Sequence, residues 1–289
     1  MPDVNSTRYT FFFATVVCVV CALAIAVSAV GLHSRQEANA LLYKQKNVLL
    51  AAGLLKPGDD PPEREILRIF DANIRIRLID IGTGDLVPED KQDPKTYDQR
   101  KARADPATSR EAPPNAAKIS RLPNWGAIFY VMKGDTVEQV VLPIDGVGMW
   151  GTCYGLLALD RDGNTVRGLT YYEQKETPGL GGEISNPKWQ ALWQGRKVYD
   201  EKWEPQLVVI KGQAGPPDKD PHRVDGLSGA TITSNGVSRT VAFWMSNDGY
   251  GPFLKKFRAG AVAPGRADAS AGRPLAAHFS GAGGWRAAA

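Results

Sequence analysis

The run Asp225-Gly226-Leu227-Ser228-Gly229-Ala230-Thr231-Ile232-Thr233-Ser234 concentrates hydroxyls and small side chains just ahead of a segment with helical spacing. Small residues let a backbone approach a bulky anion closely. The amides that open a helix lack intrahelical acceptors and favour a phosphate. The run therefore suits a phosphate held by backbone amides, or one esterified to Thr231. Ser, Thr, Gly and Asp are also the ordinary material of turns and helix caps, and by composition alone a capped loop is the commoner outcome.

Two other stretches carry residues of interest. Tyr171-Tyr172-Glu173-Gln174-Lys175-Glu176-Thr177-Pro178-Gly179-Leu180-Gly181-Gly182-Glu183 is a hairpin-end loop with flexible glycines and a fixed proline. As a site it would bring backbone amides, the Thr177 hydroxyl and apolar Leu180 against a flat ring; a plain turn accounts for the same residues. Gly148-Met149-Trp150-Gly151-Thr152-Cys153-Tyr154-Gly155 sets aromatics beside glycines. Taken alone, a core tryptophan at a strand entry is its simpler reading.

Other chemistries fit poorly. Gly146-Val147-Gly148-Met149-Trp150-Gly151 matches the dinucleotide fingerprint, which needs a helix after it, whereas Thr152–Leu159 reads as a strand. Gly226-Leu227-Ser228-Gly229-Ala230 misses the nucleophile-elbow pattern at its last position. Of the three histidines, His33 abuts an apolar run and His278 lies in a low-complexity tail, which leaves His222 without an evident orienting partner. Asp160-Arg161-Asp162-Gly163 lacks the spacing of a calcium loop, and no paired His or Cys spacing in the polar part suggests zinc.

The elements that must position these residues follow from pattern. From Phe11 to Leu32 there is no charged residue. At ~1.5 Å per residue such a run makes a helix of roughly 33 Å, enough to span a bilayer. It is longer than a usual signal-peptide core, so an uncleaved anchor is expected despite Val27-Ser28-Ala29. Cys18 and Cys21 fall inside it and read as packing or lipid-facing residues rather than a redox pair. Basic residues flank the run on both sides, so charge alone leaves its orientation open. Residues 1–10 are a short leading segment, 11–32 the transmembrane helix, 33–258 the main domain, and 259–289 an Ala/Gly-rich tail expected to be disordered.

Within the main domain an amphipathic helix is expected over 33–56, a short helix and then a strand over 63–81, and a charged, proline-bearing loop region with at most one short helix over 84–123. Hairpins are predicted for Ala127–Met132 with Val137–Ile144, and for Thr152–Asp160 with Val166–Tyr172. A short helix start at Pro187–Leu192, a strand at Gln206–Lys211 and a helix at Ser234–Asn247 complete the pattern. The expected fold class is α+β: one N-terminal transmembrane helix, then antiparallel hairpins with packed helices. A net charge of +4 from scattered residues, with no basic stripe, argues against a nucleic-acid partner.

The order of these residues resembles the FMN-binding domain family. D-G-L-S-G-A-T-I-T is similar to that family's flavinylation motif, and E-T-P-G-L-G is its companion signature. The strings G-V-G-M-W-G-T-C-Y-G-L-L-A-L-D, T-Y-Y-E-Q-K-E-T-P-G-L-G-G-E and V-D-G-L-S-G-A-T-I-T-S-N-G-V are closer still to the C-subunit branch found in sodium-translocating NADH:quinone oxidoreductases. The likeness runs over about residues 8–258, and Cys153 stands in a slot associated with other residue types. It implies one FMN per chain, joined by a flavin transferase through a phosphoester to Thr231. Ser228, Gly229, Ala230 and Thr233 would surround the phosphate. Trp150 and Leu180 would pack on the ring, with Glu176, Thr177 and Gly179 beside it. Asp225 and Gly226 would shape the loop or be read by the transferase.

The resemblance further implies a subunit that relays single electrons and has no catalytic residue of its own. Its partners would be the lipid bilayer and the other membrane, flavin and iron–sulfur subunits of the complex. The location would be a bacterial inner membrane, with the large domain on the periplasmic side. The homologous flavin subunit of Rnf-type complexes shares the two shorter motifs, and a non-redox membrane-anchored assembly module is the reading that needs no flavin at all.

Overall fold

The computed structural model describes residues 6–262. Helix α1 (Thr7–Ala51) is followed by α2 (Glu63–Asn73), β1 (Ile74–Asp80), α3 (Gln99–Ala104), β2 (Ser109–Glu111), β3 (Arg121–Pro123), β4 (Trp125–Lys133), β5 (Thr136–Val147), β6 (Thr152–Asp160) and β7 (Val166–Glu173). Then come a 3-10 turn (Gly181–Ser185), α4 (Pro187–Ala191), β8 (Val208–Val209), β9 (Arg223–Val224), α5 (Thr231–Met245) and α6 (Gly251–Arg258). The chain divides into two units, one ending at Lys46 and the other beginning at Asn47.

In the first unit, Thr7–His33 is the one stretch among the described residues that is long and apolar enough to cross a membrane. Two of its hydroxyls are satisfied within the helix: Thr15 Oγ1 donates to the Phe11 carbonyl and Ser28 Oγ to the Ala24 carbonyl, each at 2.8 Å. Such back-bonding is what a lipid-exposed hydroxyl requires.

The second unit is built on a five-stranded antiparallel sheet in the order β1-β4-β5-β6-β7. The fold is α+β, as the pattern of strands predicts. Both hairpins form, turning through Gly134 and Gly163, each with positive φ. Such a backbone conformation is open to glycine at little cost. The core draws on the inward faces of β4 to β7, on Val237, Val241 and Trp244 of α5, and on Tyr250, Phe253 and Leu254 around α6. Trp244 Nε1 donates to the Asp145 carbonyl at 2.7 Å, fixing α5 on β5.

Three regions differ from expectation. Residues 84–123 hold α3 and the paired strands β2 and β3 as well as loops. Here two charged residues of α3 make specific contacts: Arg103 pairs with buried Asp145, and the Arg100 guanidinium lies 3.5 Å from the centre of the Tyr154 ring. The strand expected at Gln206–Lys211 shrinks to β8, a parallel two-residue pair with β9. The Val208 and Ile210 amides donate to the His222 and Val224 carbonyls, while the Val209 amide faces the other way and donates to Ser238 Oγ on α5 at 2.9 Å. Helix α5 begins at Thr231, three residues earlier than its apolar period indicates. Of the tail, residues 263–289 lie outside the described residues.

Close packing of α5 on β5 depends on small residues at the contact. A Cβ on Gly236 would lie 2.6 Å from the Val147 carbonyl oxygen, and one on Gly146 would collide with Thr240. Gly236→Ala should gain about 1 kcal/mol of helix propensity. It should lose more, about 1–3 kcal/mol, because the obstructing atom is backbone and cannot rotate away. We expect a net fall in thermal midpoint of a few degrees, roughly 2–4 °C per kcal/mol for a domain of this size, measured by circular dichroism.

Candidate functional site

Three segments far apart in sequence meet at the amino end of α5. The turn after β5 contributes Gly148–Trp150, closed by a hydrogen bond from the Gly148 amide to the Gly151 carbonyl at 2.8 Å. The loop after β7 contributes Glu176–Gly181, folded back by the Leu180 and Gly182 amides, which donate to the Thr177 carbonyl. The third segment is the run ending in the first turn of α5.

Glu176 lies where they converge and is only 5% exposed. Its Oε1 accepts from the Met149 and Trp150 amides at 3.0 and 2.9 Å. Its Oε2 accepts from the Met149 amide at 3.1 Å and from Thr233 Oγ1 at 2.5 Å. Two glycines make room for the carboxylate: a Cβ on Gly148 would lie 2.6 Å from Oε1, and one on Gly181 would lie 2.8 Å from Oε2. The neighbouring Thr177 holds the other end of the turn, because Trp150 Nε1 donates to Thr177 Oγ1 at 3.1 Å.

Thr231 is the exposed first residue of α5, and no side chain caps that helix. Gly229 takes a φ of +71° and approaches Leu180 so closely that a Cβ would sit 2.9 Å from Leu180 Cδ2. Exposed apolar side chains occupy all three segments: Met149 is 50% exposed, Trp150 63%, Leu180 43% and Ile232 55%. For monomeric domains, large apolar groups left open in this grouping mark a binding surface.

The expected residues thus take different positions. Trp150, Thr177, Gly179, Leu180, Ser228, Gly229 and Thr231 are exposed, and Ala230 is buried at the N-cap of α5. Thr233 is buried and its hydroxyl proton is committed to Glu176, so it faces inward rather than toward a phosphate. Asp225 and Gly226 brace the run from behind. Asp225 Oδ1 accepts from the Ala214 amide at 3.0 Å, its carbonyl accepts from Trp189 Nε1 at 2.9 Å, and the Gly226 amide donates to the Gly212 carbonyl at 2.8 Å. Met149 and Ile232 are additional exposed residues that pattern reading passed over. Ile232 was visible in principle, since it falls outside the Val237, Val241 and Trp244 stripe that α5 buries.

This surface fits a flat ring with an anionic tail. Apolar side chains offer faces to the ring, and an exposed hydroxyl at an uncapped helix start offers an attachment point in a field that favours negative charge. The dinucleotide fingerprint does not operate as such: the residues after Gly151 form β6, so no helix follows to receive a pyrophosphate.

The comparisons with known proteins bear on the same residues. The FMN-binding domain family model matches residues 148–246, from the Gly148 turn to the end of α5. The C subunit of the Na(+)-translocating NADH-quinone reductase of Vibrio vulnificus is 44% identical over 264 residues, 91% of this chain and 100% of that protein. The chain belongs to the C-subunit family of Na(+)-translocating NADH-quinone reductases. The corresponding protein of Vibrio parahaemolyticus is 46% identical over 247 residues, 84% of this chain and 92% of its own length. The crystal structure of Shewanella oneidensis NqrC superposes with a TM-score of 0.70 at 33% identity, covering 77% of this chain and 99% of that one. Membership of this family makes the chain a component of an oxidoreductase complex, with other subunits as its partners and an FMN-binding domain as its functional part.

Cys153 lies beneath the Glu176 carboxylate and is 3% exposed. Burial, and then the Glu176 charge, push its thiol up to about 12. Thiolate at pH 8 should therefore be suppressed roughly a thousandfold relative to a group titrating at 9. Iodoacetamide at pH 8 should leave Cys153 unmodified in the folded chain and modify it promptly in guanidinium. Peptide mass spectrometry reads both; rapid alkylation of the folded chain would show the site to be open.

Proposed function

We propose that this chain carries one FMN, esterified through its phosphate to Thr231 Oγ1, and relays single electrons between partner subunits of a sodium-translocating NADH-quinone reductase. The observation that carries this reading is the position of Thr231. It is the exposed first residue of an uncapped helix, among Met149, Trp150, Leu180 and Ile232, which are open to solvent.

The bound flavin would supply the redox chemistry. The chain's own residues do the rest. The first turn of α5 offers backbone amides and a favourable field to the phosphate, with the exposed Ser228 hydroxyl within the same run. The Trp150 indole and the Leu180 side chain present apolar faces to the ring. Glu176 and Thr177 stand behind them, and Gly179 gives their loop its positive-φ corner. Asp225 and Gly226 hold the run in the shape a flavin transferase reads. No side chain is required to move a proton, and the chain is not catalytic alone.

Attachment by a covalent bond suits a surface this open. A ring packed on exposed side chains would be held weakly, and a phosphoester abolishes its dissociation. Thr7–His33 would anchor the chain as a single pass in a bacterial inner membrane, with the domain that begins at Asn47 on the periplasmic side. Sodium would pass through other subunits, because one helix cannot enclose an ion path.

Intact-mass analysis of the chain co-produced with a flavin transferase should show one FMN-sized increment, located on the peptide that contains Thr231. Thr231→Ala should remain folded and lose the increment, the yellow colour and the in-gel flavin fluorescence. Retention of covalent flavin by Thr231→Ala would place the attachment elsewhere.

A further inference from the structure

We propose that Glu176 and Thr177 are positioning residues that preset the Trp150 indole and the first turn of α5 as a ready-made seat, before any cofactor is attached. This deepens the reading of Thr231 as the flavin attachment point and rests on it for the purpose of the seat. The tie itself is a property of the chain alone.

A glutamate in a Gly/Pro loop beside an exposed surface would ordinarily point to solvent. Here both carboxylate oxygens are engaged by the chain's own donors, and the residue is 5% exposed. The donors come from two other segments: the Met149 and Trp150 amides of the turn after β5, and the Thr233 hydroxyl of α5. One side chain therefore fixes the backbone under the indole and the helix turn that presents Thr231. Thr177 then fixes the indole itself, through the 3.1 Å bond from Trp150 Nε1. An exposed tryptophan held at its backbone and at its ring nitrogen by consecutive residues keeps one orientation. Gly148 and Gly181 leave only enough space for the carboxylate, since a Cβ on either would lie within 3 Å of its oxygens. Such prior ordering lowers the entropic cost of seating a ring.

The hydrogen-bond pattern separates this role from an electrostatic one. In Glu176→Gln the amide oxygen can accept from the Met149 and Trp150 amides while the amide nitrogen donates to Thr233 Oγ1, which can also accept. The ties survive and the charge is lost. Glu176→Ala removes both.

The test uses the full chain in detergent micelles, made without a flavin transferase and labelled with 15N at the tryptophan indoles. A Trp150→Phe variant identifies the Trp150 signal. Glu176→Ala and Thr177→Val should each speed hydrogen exchange of the Trp150 indole at least tenfold, while the indoles of the core tryptophans stay unchanged. Glu176→Gln should match the parent chain. Unchanged Trp150 exchange in Thr177→Val overturns the proposal even should Glu176→Ala fail to fold, because Thr177 is exposed and its replacement leaves the core intact. Equal release of the indole in Glu176→Gln and Glu176→Ala also overturns it, by assigning the effect to charge. In the flavin-loaded chain, Glu176→Ala and Thr177→Val should raise flavin fluorescence severalfold through loss of indole quenching, and Glu176→Gln should not. Should the parent chain never acquire flavin while the exchange pattern holds, the attachment reading falls and the tie stands.

Discussion

A carboxylate taken out of water must be met by donors, because an uncompensated buried charge costs several kcal/mol. Glu176 is met by two backbone amides and one hydroxyl drawn from both other segments of the site. That requirement explains much of the local sequence. Gly148 and Gly181 are glycines because a Cβ at either position would occupy the space of the carboxylate. Thr233 is a buried hydroxyl in the first turn of a helix because the carboxylate needs its proton. Cys153 remains a thiol beneath the same group, since burial and the nearby negative charge both oppose ionisation. Remove the carboxylate, and the Met149 and Trp150 amides and the Thr233 hydroxyl lose their common acceptor.

A second constraint is the closeness of α5 to β5. The helix carries Thr231 at its start and Trp244 near its end, and the Trp244 indole is bonded to the carbonyl of Asp145. Between these points Gly236 meets the Val147 carbonyl and Thr240 meets Gly146. The helix is thereby set against the strand whose end becomes the Gly148 turn. Asp145 itself is buried against Arg103. Burial raises its carboxyl above the usual range, and the Arg103 guanidinium pulls the other way. Thr231 and the Trp150 platform are thus parts of one corner built on packed elements rather than two loops brought together by chance.

Much of this was readable from residue order, and the exceptions share a cause. The hairpins followed from strand alternation and from Gly134 and Gly163 at the turns. The run ending at Ser234 stood out because hydroxyls and small residues fell in a fixed sequence before helical spacing, and the loop at Glu176–Gly181 stood out by its glycines and proline. Direction was not readable. Glu176 and Thr233 belong to the expected site by position, yet both point into the protein, because pattern reports residue type and period and not which way an irregular loop turns a side chain. The early start of α5 was hidden for a related reason: Thr231 and Ile232 are exposed, so the apolar period that marks a helix begins only after them. The outer edge of β8 was hidden as well, because its Val209 amide is taken by a serine on α5, a contact between residues 29 positions apart.

The same distinction between type and direction separates the two halves of the site. Residues that face outward, Met149, Trp150, Leu180 and Ile232, are apolar and lack a partner that would justify their exposure in an isolated domain. Glu176 and Thr233 face inward, and their polar atoms are engaged with each other and with the Met149 and Trp150 amides. This is the reverse of the ordinary arrangement in a soluble domain, where apolar groups are buried and charges are solvated. At the corner at the start of α5 the two features lie side by side. That arrangement is physically sensible only where another apolar surface comes to rest on the exposed side, with the buried polar ties holding the platform flat to receive it. A covalently held flat ring meets that description, and a helix start with an exposed hydroxyl supplies the point from which such a ring can reach the indole.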